Sequence, residues 1–184
     1  MTAEHDTAPR QRARLSLALC LGLLAASMPA SAAADAADDF LKSIEGKWRG
    51  RGTAIIPGRS GAERIVCQVT NSYSAETSQL RVNGECASTQ GKTIVSGKLT
   101  HAGSSISGSL INAFKGATVT KSSGSMIGEN MEVSSSFVDN STGNLTRTRQ
   151  VFRKSPAGFT AEFFTFDNVS GAFKPAGTIA FSTN

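Results

Sequence analysis

Beyond Gly46, hydrophobic residues recur at every second position rather than every third or fourth. That is the period of a strand with one buried face. Ile65, Cys67, Val69, Asn71 and Tyr73 share one side of 64–73, with Val66, Gln68, Thr70 and Ser72 on the other. The alternation predicts strands at 48–56, 64–73, 79–87, 93–101, 105–113, 117–123, 131–138, 145–153, 159–167 and 177–182. Gly- and Asn-bearing stretches such as "HAGSS", "GEN" and "SPAG" mark the turns between them. The fold class is therefore all-β, an antiparallel up-and-down meander. Closing it into a barrel of about 8–10 strands is the simplest way to remove its edges.

Before the first strand the period changes. In "DAADDFLKSIEG", Phe40, Leu41 and Ile44 make one apolar stripe, Asp35, Asp38 and Asp39 suit a helix start, and Gly46 ends it. A short N-terminal helix is expected there.

The first 32 residues read as an address rather than structure. Arg10, Arg12 and Arg14 precede the apolar "LSLALCLGLLAASMPASA", which closes on Ala30-Ser31-Ala32. This is the layout of a signal peptide. The expected organisation is a leader at 1–32, a linker and helix at 33–45, and one β-barrel domain at 46–184. The location is periplasmic or secreted, with no stable membrane insertion after cleavage. The formal net charge of +5 is spread thinly, with no basic run beyond "RTRQVFRK", so nucleic acid is not an expected partner.

Leader removal leaves Cys67 and Cys86 as the remaining cysteines, in a chain sent to an oxidising compartment. Folding 64–73 onto 79–87 so that the two cysteines face each other sets Val69 against Gly84, Asn71 against Val82 and Tyr73 against Leu80. The apolar faces then coincide, and a slip of one residue would set each against a polar one. A disulfide is expected to pin this hairpin.

The first strand opens "EGKWRGRGTA". Its Trp48 sits on the inner face, followed on that face by Gly50 and Gly52, positions that permit bending and close backbone approach. A short helix followed by Gly-x-Trp resembles the lipocalin and fatty-acid-binding superfamily of calycin-like barrels, and "GKWRGRG" looks most like the opening of nitrobindin-type barrels. The resemblance implies a barrel with Trp48 plugging one end and room above the ring. It departs from those families in two respects. Nitrobindin-type barrels hold haem through a late histidine, whereas the chain after the leader has only His101, in mid-sequence at a turn. No haem ligand carries over, His101 reads as a solvated surface residue, and no cofactor is expected. The Thr-Asp-Tyr-like segment and C-terminal helix of lipocalins are also missing, and Arg147 or Arg149 matches their Trp-stacking arginine by position only.

Catalysis lacks its parts. An acyl-transfer triad needs a base beside its nucleophile, and His101 is the only imidazole available after the leader. Metal ligands do not cluster in sequence, and no glycine loop opens a helix that would cradle phosphate. The expectation is a non-catalytic binding protein for a small hydrophobic molecule, because a barrel wider than about eight strands has room that side chains alone do not fill. Small inward positions (Gly50, Gly52, Gly84, Gly97 and Gly108) would widen it further. Candidate ligand-binding residues are Trp48, Tyr73, Arg147 and Arg149.

On 145–153, one face reads Leu145, Arg147, Arg149, Val151 and the other Thr146, Thr148, Gln150, Phe152. If the first face is inner, the two arginines reach a ligand carboxylate. If it is outer, they are solvated or stacked on Trp48. In "FTAEFFTF", Phe164 and Phe166 lie opposite Phe159 and Phe163, so something must cover them. The helix stripe and a second subunit are the two candidates, leaving the chain a monomer or a weak homodimer. Two other functions fit the outline. A metalloprotease inhibitor would insert an extended "AADAADDF" into a protease cleft, and an envelope structural protein would have a filled barrel.

Overall fold

A computed structural model describes residues 30–55, 61–89, 91–112, 117–139 and 143–183, with side chains described except at 30–35, 111–112, 117–120 and 139. The expected leader lies outside these residues except where α1 (Ala30–Ser43) begins. Ten strands follow: β1 (Gly46–Ile55), β2 (Ala62–Ser74), β3 (Gln79–Ser88), β4 (Gly91–Ala102), β5 (Ser105–Asn112), β6 (Ala117–Ile127), β7 (Asn130–Asp139), β8 (Leu145–Ser155), β9 (Gly158–Asp167) and β10 (Ala172–Ser182). Each pairs antiparallel with its neighbour in sequence, and β1 pairs with β10, so the sheet closes. Closure leaves no edge strand exposed.

Burial follows the alternation. On β2 every second residue from Ile65 to Asn71 is buried and those between are exposed. The β2–β3 register sets Cys67 opposite Cys86, Val69 opposite Gly84, Asn71 opposite Val82 and Tyr73 opposite Leu80, the pairing that matched the two apolar faces. The cysteines are bonded, with Cα atoms 4.0 Å apart.

β10 starts earlier than its sequence predicts because a bulge between Pro175 and Gly177 absorbs the proline. A proline cannot donate to the ladder, so a register shift beside it lets pairing resume.

The glycines of β1 allow the close approach of a neighbouring strand that was expected of them, but not the room expected above the Trp48 ring. They leave no space. A Cβ on Gly52 would lie 2.7 Å from the Ile179 Cα, and one on Gly50 would lie 2.8 Å from the Ile179 side chain. Glycine is required because β10 packs directly against these positions, where the sheet coils tightly to close. Gly84, Gly97 and Gly108 are filled in the same way by neighbouring backbone, so none of them widens the interior.

The helix seals one end of the barrel. Phe40, Leu41 and Ile44 are buried in one cluster with Trp48, Leu80, Leu99, Ile106 and Met131. Burying three such side chains is worth roughly 1.5–3 kcal/mol each. The helix therefore lies away from Phe164 and Phe166. That outer pair is covered instead by arginines from β8 and by Phe173 from β10.

Candidate functional site: the barrel interior

At the sealed end, the carbonyl of Ile44 lies just past the helix and has no helical partner. It accepts two hydrogen bonds, from the indole Nε1 of Trp48 at 2.9 Å and from Nδ2 of Asn71 at 2.8 Å. The Trp48 ring also meets Phe159 edge-on, with centroids 5.2 Å apart, and Phe159 stacks on Phe181 at 4.6 Å. The helix is thereby stitched to β1 and β2.

A second stitch joins the helix to the outer end of β2. The Tyr73 hydroxyl donates to Asp38 Oδ1. His101 Nε2 lies 3.2 Å from the same hydroxyl and 3.6 Å from the Asp38 carboxylate. Nδ1 of His101 is buried and has no hydrogen-bond partner. Burial, reinforced by the hydrogen bond to Asp38, pushes the Tyr73 hydroxyl up from 10.0 to about 12. The His101 side chain is only 8% exposed, so the expected solvated loop histidine is instead part of a packed contact.

Above this plug the barrel holds a cavity of about 300 Å³. That volume lies at the small end of ligand sites. It runs from Ile44 at the sealed end to Ile55, Ala87 and Gly91 near the opposite ends of β1, β3 and β4. Its wall is mainly aliphatic and aromatic, and it includes both halves of the Cys67–Cys86 bridge. Among the described residues no Lys, Arg, His, Asp or Glu lines it.

The four residues expected to bind a ligand are not brought together there. Trp48 lies beneath the cavity at the plug, and Tyr73 lies at the helix contact; neither is part of the lining. Arg147 and Arg149 are on the outside. Thr146, Thr148, Gln150 and Phe152 form the inner face of β8, which turns the odd-numbered residues outward. Arg147 stacks 3.5 Å above the Phe166 ring, and Arg149 lies 4.7 Å from Phe164 and 5.0 Å from Phe173. Arg149 also approaches Glu132 at 4.0 Å. The arginines stack on outer phenylalanines rather than on Trp48, and no carboxylate clamp faces the cavity.

Alternation did not reveal a row of inward hydroxyls crossing four strands. The register aligns Ser122 with Ser135, Ser135 with Thr148, and Thr148 with Thr165. Ser122 and Ser135 are buried and hydrogen-bonded to each other at 2.7 Å, and Ser122 Oγ accepts from Leu110 N at 3.3 Å. Thr148 and Thr165 reach the cavity. In "KSSGS" no position is apolar, so nothing there distinguishes Ser122 from its neighbours, whereas in "VSSSF" Val133 and Phe137 share the face of Ser135 and mark it as inward.

The molecule is thus a closed, ten-stranded, up-and-down antiparallel barrel, sealed at one end by a helix and hollow above it. It is similar in fold to the structure titled "Crystal Structure of Rv2717c from M. tuberculosis", with a TM-score of 0.59 and 14% sequence identity over 80% of this chain and 97% of that one. No protein-family model matches the chain. No curated protein matches it either.

Proposed function

We propose that this protein is an exported, non-catalytic carrier or sensor that holds one small apolar molecule inside a calycin-like barrel. The observation carrying this reading is the cavity: about 300 Å³ of space inside the barrel with no charged side chain among its described lining residues. Apolar surface leaving water drives such binding at roughly 25 cal/mol per Å². The leader pattern and the paired cysteines support export. The non-catalytic part rests on a lining without an acid, base or metal-binding cluster among the described residues.

The inhibitor reading loses its support from the N-terminal segment. Residues 30–43 are helical, and Phe40 and Leu41 are buried at the barrel end rather than extended for insertion into a cleft. A filled barrel, the outline of a structural protein, does not fit the cavity.

The test is native mass spectrometry of protein purified from its own host, followed by displacement of a neutral fluorescent probe, N-phenyl-1-naphthylamine. A co-purifying apolar molecule, or saturable probe binding of one per chain, is the expected result. Absence of both would end the carrier reading.

A further inference from the structure

We infer that the β8–β9 wall is the recognition site for the polar end of the ligand, and that the ligand is electrically neutral: an apolar chain or ring system bearing a hydroxyl, amide or similar group. This rests on the carrier reading above and sharpens it.

Four polar residues of the lining lie side by side on the β8–β9 wall, while Asn71, Ser88 and Thr93 are spread over β2, β3 and β4. Thr146, Thr148 and Gln150 occupy successive inward positions of β8, and Thr165 of β9 stands opposite Thr148. Gln150 is only 4% exposed, yet a side chain with two donors and an acceptor has been placed inside an apolar barrel.

Within the hydroxyl row, the two members away from the cavity satisfy each other, Ser122 with Ser135. The next member does not follow suit. The Thr148 hydroxyl oxygen is buried and lacks a hydrogen-bond partner. A buried polar atom left unmatched is costly, so its retention beside a cavity points to a partner supplied from the cavity.

Charge decides the class of that partner. A carboxylate or ammonium brought into this space would be desolvated with no counter-ion on the described lining, because Arg147 and Arg149 face outward. A hydroxyl or amide matches the donors and acceptors of Gln150 and Thr148 without that penalty.

Three probes of equal chain length test this on the intact protein: decan-1-ol, 1-chlorodecane and decanoate at pH 8, each competing with N-phenyl-1-naphthylamine. Thr148→Val keeps the shape of the side chain, and Gln150→Leu removes the amide. Each variant should weaken decan-1-ol binding by about tenfold while 1-chlorodecane binds as well as before or better. Thr148→Val should also melt no lower than the parent, since it removes an unmatched polar atom, and this separates a ligand-recognising residue from a structural one. Decanoate should bind the parent more weakly than decan-1-ol. Equal losses for the alcohol and the chloride, no loss for either, or preference for decanoate would overturn the polar subsite while leaving the carrier reading in place. Failure of every probe to bind would overturn both.

Discussion

The indole nitrogen of Trp48 and the carbonyl oxygen of Ile44 are 2.9 Å apart, and this hydrogen bond joins the residue just past the helix to the first strand of the barrel. The tryptophan is thus less a stopper than a clamp on the element that is the stopper. Trp48→Phe keeps a ring against Phe159 but loses the donor, and should cost about 0.5–1.5 kcal/mol in urea denaturation. Trp48→Ala should cost about 3–5 kcal/mol. A phenylalanine variant as stable as the parent would mean that Asn71 alone holds the helix end.

Alkaline stability should depend on Tyr73. Its hydroxyl titrates at about 12 in the folded protein, against an ordinary 10.0. Between these values the native state holds a proton that the unfolded chain has lost, so stability is complete below about 10 and falls as pH rises toward 12. Denaturation midpoints measured across that window should decline for the parent and decline less for Tyr73→Phe. Parallel declines would remove Tyr73 as the cause.

Reduction of the Cys67–Cys86 bridge opens a constraint between residues 19 apart in sequence. The unfolded chain regains loop entropy worth about 3 kcal/mol. Dithiothreitol should therefore lower the urea midpoint by that equivalent. Because both cysteines line the cavity, probe affinity should change as well. Identical denaturation curves with and without reductant would contradict the first expectation.

Gly52 and Gly61 provide a matched pair. A Cβ on Gly52 meets β10 backbone, whereas one on Gly61 meets nothing within 4 Å. Gly52→Ala should destabilise by roughly 1–3 kcal/mol or more through overpacking. Gly61→Ala should stay within about 0.5 kcal/mol of the parent. Thermal melts of the two variants side by side decide this.

The outer arginines should matter to the surface and not to the ligand. Arg147→Ala with Arg149→Ala removes cation–π contacts to Phe164, Phe166 and Phe173. At exposed sites such contacts are worth about 0.5–1 kcal/mol each. A small stability loss with unchanged affinity for decan-1-ol is expected. Loss of binding in the double variant would place the arginines in the site after all.

Several features were readable from order along the chain, because the physics that decides them is local or nearly so. A strand with one wet face alternates with period two, so the pairing of Cys67 with Cys86, expected from the cysteine count, could be checked: it makes the apolar faces of 64–73 and 79–87 coincide, and a slip of one residue would part them. The same alternation predicted the meander that closes. The stripe of Phe40, Leu41 and Ile44 marked the helix in the same way.

Alternation does not say which face of a strand points inward when both are mixed. On β8, arginines and a valine compete with threonines, a glutamine and a phenylalanine, and only the positions of β7 and β9 turned Thr148 and Gln150 in and Arg149 out. The same holds for the glycines of β1, which look like space in one dimension and are occupied by β10 in three. His101 looked solvated at its turn, yet the helix and Tyr73 cover it. The periodicity of single strands was thus written in residue order, whereas the inner wall, the plug and the polar row depend on neighbours far apart in sequence, which pairing and closure alone bring together.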